Sequence, residues 1–267
     1  MPRLSVTIIT KDEERDLPEC LASVAFADEV IVVDAQSSDR TQEIARAAGA
    51  KVFENPWPGY AAQKRYAMER ASGDWVLNLD ADERVSPELR EALPRAIARE
   101  DVGGYQVAFR TWIFGRRVRF GAFSGERHLR LFRRAKASYP DCEVHEGVVV
   151  AGKVSRLDPP ILHHTYASLE ECLEKVNRYS SQAALQRYRA GRRFGPLDLL
   201  RGPWGFFRRY VLRLGFLDGY AGLMHAWLFS LYDLAKYAKL DDLDRAAALP
   251  RPDDEAPNGR AGSAGAA

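Results

Sequence analysis

Cysteine, methionine and histidine are scarce in this chain, at three, three and five among 267 residues. Cys20, Cys142 and Cys172 stand far apart with no Cys-x-x-Cys pair, which argues against a structural zinc site or a disulfide framework and points to a reducing compartment. No stretch reaches the ~18 uninterrupted apolar residues of a membrane-spanning helix. The nearest, 220–234, is interrupted by His225 and runs into Asp233, Lys236 and Lys239. The amino terminus turns charged at Lys11, before a signal segment could form, so a cytosolic location is expected. Neither charge dominates: 39 Lys and Arg against 37 Asp and Glu leave +2, and nothing global points to nucleic acid.

What is present is a βαβ rhythm. The β-branched runs Leu4–Ile9 and Glu29–Val33 are each followed by polar residues and a helical pattern. Leu17, Cys20, Leu21 and Val24 share one face of a first helix over about 14–24, and a second helix after Asp39 ends at Gly49. Lys51–Glu54 reads as a third strand, and a helix over about 60–71 leads through Gly73 to the strand Trp75–Leu79. Strands alternating with helices predict an α/β fold with a mostly parallel, Rossmann-like sheet and helices on both faces. Ser86-Pro87 starts a further helix, and Ser168 with Glu171 forms a capping box before another. Between them the pieces 105–109, 111–114, 128–132 and 144–150 suit antiparallel hairpins or edge strands. Beyond Gly195 the composition turns to aromatics and arginines, and after about Leu249 to Pro, Gly, Ala and Asp, the signature of disorder.

The chemistry concentrates at strand ends. Trp75-Val-Leu-Asn-Leu-Asp80-Ala-Asp82 is an apolar run ending in two carboxylates, and ligands of open α/β sheets bind beyond the carboxyl ends of such strands. Two hard oxygen donors there can hold Mg²⁺ or Mn²⁺ with positions left open for a diphosphate. Asp34 closes the neighbouring run in the same way and can accept hydrogen bonds from a nucleobase or ribose, whereas Asp39 reads as a helix cap.

Val6-Thr7-Ile8-Ile9-Thr10-Lys11-Asp12-Glu13-Glu14, Val33–Thr41 and Leu79-Asp80-Ala81-Asp82-Glu83 resemble family 2 glycosyltransferases of the GT-A fold. The likeness is closest to the branch that adds β-linked glucose to the lipopolysaccharide inner core, and it extends through Arg127–Arg133, Val144–Gly147 and Phe216–Gly219. The resemblance implies a nucleotide-diphosphate sugar donor, UDP-linked, with Asp34 at the nucleoside and Asp80 and Asp82 at ribose and metal. Thr10 and Glu13, which lie within the first motif, join that donor site. Asp82 is the preferred direct metal ligand. Many relatives carry Asp-Asp-Gly-Ser where this chain has Asp34-Ala35-Gln36-Ser37, so the second acid is missing.

Inverting transfer also needs a base for the acceptor hydroxyl. The Glu-Asp pair of relatives is absent, and Glu146, beside His145, is the chosen substitute, with Asp141 and Glu143 as rivals. His163-His164 offers a third metal ligand, assigned to His164, or a diphosphate contact. Lys64, Arg127 and Arg130 are candidate phosphate clamps, with Arg130 preferred among the arginines. The arginine–aromatic stretch with Trp204, Phe207, Tyr210 and Phe216 fits interfacial helices on anionic lipid.

The expected organisation is a nucleotide-sugar-binding catalytic domain over 1–195, a membrane-associated helical extension over 196–248 and a disordered tail over 249–267. The expected partners are the sugar donor, a lipid-linked saccharide acceptor and the cytoplasmic surface of the inner membrane. Two other readings stand beside this one: a nucleotidyltransferase, against which the missing Gly-x-x-x-x-Gly-Lys-Ser/Thr loop counts, and a noncatalytic sugar-nucleotide or membrane-binding module.

Overall fold

The computed structural model describes residues 2–140 and 147–248. Its elements are β1 (Leu4–Thr10), α1 (Leu17–Ser23), β2 (Glu29–Asp34), α2 (Thr41–Ala47), β3 (Lys51–Glu54), α3 (Tyr60–Arg70), β4 (Trp75–Asp80), β5 (Glu83–Val85) and α4 (Pro87–Ile97). There follow β6 (Gly104–Ile113), β7 (Arg116–Val118), β8 (Arg127–Arg133), β9 (Ala137–Ser138), β10 (Val149–Val150), β11 (Val154–Tyr166), α5 (Leu169–Arg189), α6 (Arg201–Phe207) and α7 (Gly219–Ala248).

The main sheet runs β3-β2-β1-β4-β8-β6-β11-β5, with β7 on β6. The first four strands are mutually parallel, β8 is antiparallel to both its neighbours, and β6 and β11 are again parallel. Strand alternation sends successive residues to opposite faces. Trp75, Leu77 and Leu79 of β4 pack with Leu17, Leu21, Leu89 and Leu93 of α1 and α4, whereas Val76 joins Ile31, Val33 and Ala67 on the α3 side. Helices therefore cover both faces, as the alternating pattern predicts. The expected caps are present: Ser86 Oγ accepts from Leu89 N–H at 3.1 Å and Ser168 Oγ from Glu171 N–H at 3.1 Å. The segments expected as two strands at 105–109 and 111–114 are one ten-residue strand, β6, because it pairs along its length with the long β11.

Register sets what stands at the sheet edge. Thr10 is opposite Asp34, and Ile9 is opposite Asp80, so three parallel strands end together. At the other end Glu29 ties the same strands. It accepts from Ser5 Oγ at 2.6 Å, Lys51 Nζ at 2.7 Å and Ser72 N–H at 2.8 Å, and Gly73 N–H in turn donates to Ser5 Oγ. A Cβ on Gly73 would lie 2.8 Å from Ser5 N, so this turn packs only with glycine.

The carboxy-terminal helices pack by small residues. A Cβ on Gly202 of α6 would fall 2.4 Å from Leu234 of α7, and Ser230 Oγ donates to Gly202 C=O at 2.8 Å. This close approach leaves Trp204 and Phe207 on the outer side, both exposed. The segment joins the sheet through Asp218, which accepts from Arg119 and Phe120 N–H at 2.9 and 2.8 Å. Among the described residues no helix is long and apolar enough to cross a membrane.

Burial opposes ionisation of Glu29, but its bonds from Lys51, Ser5 and Ser72 together hold the carboxyl down at about 2. The folded value lies below the unfolded one, so the stabilisation is present above about pH 4.5 and is lost as pH falls toward 2. Acid unfolding of the wild type should therefore cost about 3 kcal/mol over this window that Glu29→Gln does not lose, measured by urea titration at stepped pH. Parallel curves would contradict the assignment.

Candidate active site at the carboxyl edge of the parallel strands

A cleft of about 480 Å³ opens at the edge where β1 and β4 end. Thr10 at the end of β1 lines it with Lys11 and Glu13 of the loop that follows, Asp80 at the end of β4 with Asp82 of the turn that follows, and His163 from β11. Lys175, Arg178, Tyr179 and Gln182 close it from one face of α5.

Asp80 is held from two sides. Lys64 Nζ of α3 lies 2.8 Å from its Oδ1 and Arg130 of β8 donates to its Oδ2 at 2.9 Å. Burial would raise the carboxyl, but these two cations hold it well below the ordinary carboxylate range. Arg130 also donates to Glu83 and, at 3.1 Å, to Asn78 Oδ1. Glu83 in turn accepts from Asp80 N–H at 3.0 Å, so the turn that carries Asp82 is braced from below. Arg130 and Lys64, expected at phosphate, contact Asp80 at the cleft wall and, for Arg130, the buried Glu83 behind it.

Asp82 is freer, with its Oδ2 3.5 Å from His163 Nε2. Burial works against a charged ring, yet the Asp82 carboxylate holds the His163 imidazole up at about 9. The histidine beside Asp82 is therefore His163, where His164 was expected. Adjacent residues of a strand face opposite ways, and His164 stacks flat on Trp112, ring centroids 4.8 Å apart, meeting Asp82 only through its own N–H to the Asp82 carbonyl. Glu13, a member of the same cleft, is pushed up to about 8 by burial and by the Asp82 charge.

Asp34 closes β2 at the expected edge but is not among the residues that line the cleft. It is fully buried, and its oxygens accept from Thr10 Oγ1 at 2.9 Å, Ser37 N–H at 2.8 Å, Ser37 Oγ at 2.5 Å and Gln42 Nε2 at 2.8 Å. With four donors already satisfied it shapes the loop, and Thr10 and Ala35 present the surface. Next to it Gln36 adopts φ +60°, the left-handed region that favours glycine, and its carbonyl accepts from Lys11 Nζ. This is the position where relatives of the resembled family carry glycine. Asp39, expected as the cap of α2, stands one residue before the N-cap Arg40. It accepts from Thr41 N–H at 3.0 Å and from Glu14 N–H at 3.0 Å and so ties the helix start to the loop after β1.

Arg127 is turned away, bonded to Leu157 C=O at 2.9 Å and Asp158 at 2.6 Å. Asp141, Glu143, His145 and Glu146 lie outside the described residues. Sequence reading passed over Glu83, Lys175, Arg178 and Tyr60. The signal for the α5 members was available: positions 175, 178, 179 and 182 follow helical spacing and set polar groups on one stripe.

Among the described residues no group of three His, Cys, Asp or Glu is arranged to hold a metal by itself. Hard divalent cations such as Mg²⁺ are nevertheless commonly held by one or two carboxylates, with water and substrate phosphate completing the shell. Asp82 with Glu13 nearby fits that use, since positive charge brought between them offsets both the burial and the Asp82 charge that raise Glu13.

The sequence model of the family described as Glycosyl transferase family 2 matches residues 5–146. The lipopolysaccharide core biosynthesis glycosyltransferase LpsC of Rhizobium meliloti is 34% identical over 260 residues, covering 94% of this chain and 96% of LpsC. The uncharacterized glycosyltransferase RT0209 of Rickettsia typhi is 32% identical, covering 91% of this chain and 88% of its own length. Among solved structures, glucosyl-3-phosphoglycerate synthase from Mycobacterium tuberculosis in complex with uridine diphosphate aligns over 41% of this chain and 45% of its own at 24% identity, with a TM-score of 0.36.

Removing Arg130 strands the buried Glu83 and leaves Asp80 with Lys64 alone. Arg130→Ala should lower unfolding free energy by about 4 kcal/mol in urea at pH 7, with Arg130→Lys recovering part of it. A loss below about 1 kcal/mol would show that the brace does not carry the turn.

Proposed function

Because the chain belongs to glycosyl transferase family 2, we propose that it moves a hexose, glucose, with inversion from a UDP-linked sugar to the inner core of lipopolysaccharide or a similar glycolipid. One observation carries the donor half of this reading: the acids Glu13, Asp80 and Asp82 face the cations Lys175 and Arg178 across a single cleft at the ends of parallel strands. A diphosphate needs both signs, cations for its own charge and carboxylates for the ion that accompanies it. The acceptor half is supported by likeness over nearly the whole chain to a protein named for lipopolysaccharide core biosynthesis.

Asp82 would hold a Mg²⁺ or Mn²⁺ ion directly, with Asp80 oriented behind it by Lys64 and Arg130. When bound, the ion supplies Lewis-acid neutralisation of the departing diphosphate. Lys175 and Arg178 bring further positive charge to the same leaving group from α5. Thr10 and Ala35, fixed by the buried Asp34, form the floor for the nucleoside. The acceptor proton passes to a carboxylate of the 141–146 segment, Glu146 before Asp141 or Glu143, as the acceptor oxygen bonds to the anomeric carbon.

The acceptor is lipid-anchored in this reading, and the outer side of α6 suits work on the cytoplasmic face of the inner membrane. Leu200, Trp204, Phe207 and Leu212 are exposed there beside the exposed Arg208 and Arg213, apolar groups for acyl chains and cations for anionic head groups.

Asp82→Ala should cut hexose transfer by at least about a hundredfold and abolish Mn²⁺-dependent donor binding, with the thermal midpoint unchanged. Unaltered transfer would sink the assignment, and a product that kept the nucleotide would favour nucleotidyl transfer. For the membrane, Trp204→Ser with Phe207→Ser should weaken sedimentation with phosphatidylglycerol vesicles by about tenfold or more. Equal sedimentation would remove α6 from the interface.

A further inference from the structure

A second and larger cavity, about 880 Å³, lies between α5, α7 and the start of α3. It shares Tyr60, Tyr166, Tyr179 and Gln182 with the donor cleft, so the two are neighbours across a thin wall. The wall is polar at its centre, where the Tyr60 and Tyr179 hydroxyls meet at 2.7 Å, and Trp57 braces Tyr60 edge-on at 4.7 Å between ring centroids. Tyr232, Gln186 and Arg189 line the far side, with Val176, Leu228 and Phe229 between them. Among the described lining residues Arg189 is the one charged group and no carboxylate appears.

We propose that this cavity is the acceptor subsite, and that it takes the phosphorylated saccharide of the acceptor, not its acyl chains. The inference rests on the glycosyltransferase reading above and adds to it the place and chemical class of the second substrate. Aromatic faces pack against the C–H faces of sugar rings, while phenol and amide groups bond ring hydroxyls. A cavity of this size is within the range of specific ligand sites. The occupant is anionic because the charge offered to it is Arg189, whose fork matches phosphate or carboxylate. The shared wall with the donor cleft matters most, since the attacking hydroxyl must come to about 3–3.5 Å from the anomeric carbon and the Tyr60–Tyr179 contact is what stands between the two. A ring seated against Tyr60 and Tyr179 is next to that point, whereas the exposed apolar side of α6 already offers a place for the lipid. The acceptor oxygen then forms the new bond to the anomeric carbon, the bond from that carbon to diphosphate breaks, and the proton leaves to the base.

The test uses purified full-length protein, UDP-glucose, Mn²⁺ and two acceptors: intact lipopolysaccharide from a strain lacking this chain, and the core oligosaccharide released from it by mild acid, with or without phosphatase treatment. Of the two cavities Ala183 lines only the larger, and Ala183→Trp would obstruct it. This variant should raise the KM for the oligosaccharide by about tenfold or more, with UDP-glucose affinity and its slow hydrolysis by water within about twofold of wild type. Arg189→Glu, at an exposed position and so harmless to folding, should raise KM for the phosphorylated oligosaccharide and leave the phosphatase-treated one unaffected. Unchanged KM in both variants, with wild-type transfer intact, overturns the subsite alone. A loss confined to intact lipopolysaccharide overturns it in favour of an acyl-chain groove. Absence of transfer by the wild type to every acceptor overturns the glycosyltransferase reading itself, and the subsite falls with it.

Discussion

The site depends on a shared strand ending. β2, β1 and β4 run parallel and stop at one level, with Thr10 opposite Asp34 and Ile9 opposite Asp80. Parallel strands of one length deliver their following loops to one edge, so acids from distant parts of the sequence meet without any local motif joining them. Glu29 holds the opposite end of the same strands through Ser5, Lys51 and Ser72, and thereby fixes the level at which they finish.

Bringing carboxylates together in a partly buried cleft is unfavourable unless cations come with them. The chain answers this at two depths. At the cleft wall and behind it, Lys64 and Arg130 close on Asp80, and Arg130 also closes on the buried Glu83. At the surface of the cleft, Asp82 and Glu13 are less fully compensated: burial and then the Asp82 charge raise Glu13, and the Asp82 carboxylate raises His163 against its burial. The lower pairs give shape, and in the proposed reading the upper surplus receives a divalent cation and, only through that cation and the α5 cations, a diphosphate. α5 then adds Lys175 and Arg178 over the top, with Lys175 also tied to Glu171 at 2.8 Å.

Much of this was legible from residue order. The apolar run ending in Asp80-x-Asp82, the alternation of strands and helices, and the caps at Ser86 and Ser168 are local patterns with local causes, and each has its counterpart in the fold. What was not legible turns on geometry between distant segments. The saturation of Asp34 depends on where Gln42 and Thr10 fall relative to β2. The choice between His163 and His164 depends on strand parity, and β11 carries irregularities between Leu157 and Pro160 and between His164 and Tyr166 that defeat counting along the chain. Arg130 looked like a phosphate ligand because its buried partners come from β4 and β5, about fifty residues earlier. Tyr179 was legible as part of a helical stripe, but its position between two cavities required α3 and α7 to be in place.

The most direct measurement of the central claim is a crystal structure of the protein with Mn²⁺ and UDP-glucose. The account predicts the diphosphate in the cleft between Asp82 and the α5 cations Lys175 and Arg178, with the metal on the Asp82 carboxylate. A nucleotide bound elsewhere, or a diphosphate in the cleft with Asp82 turned away from both it and the metal, would contradict it.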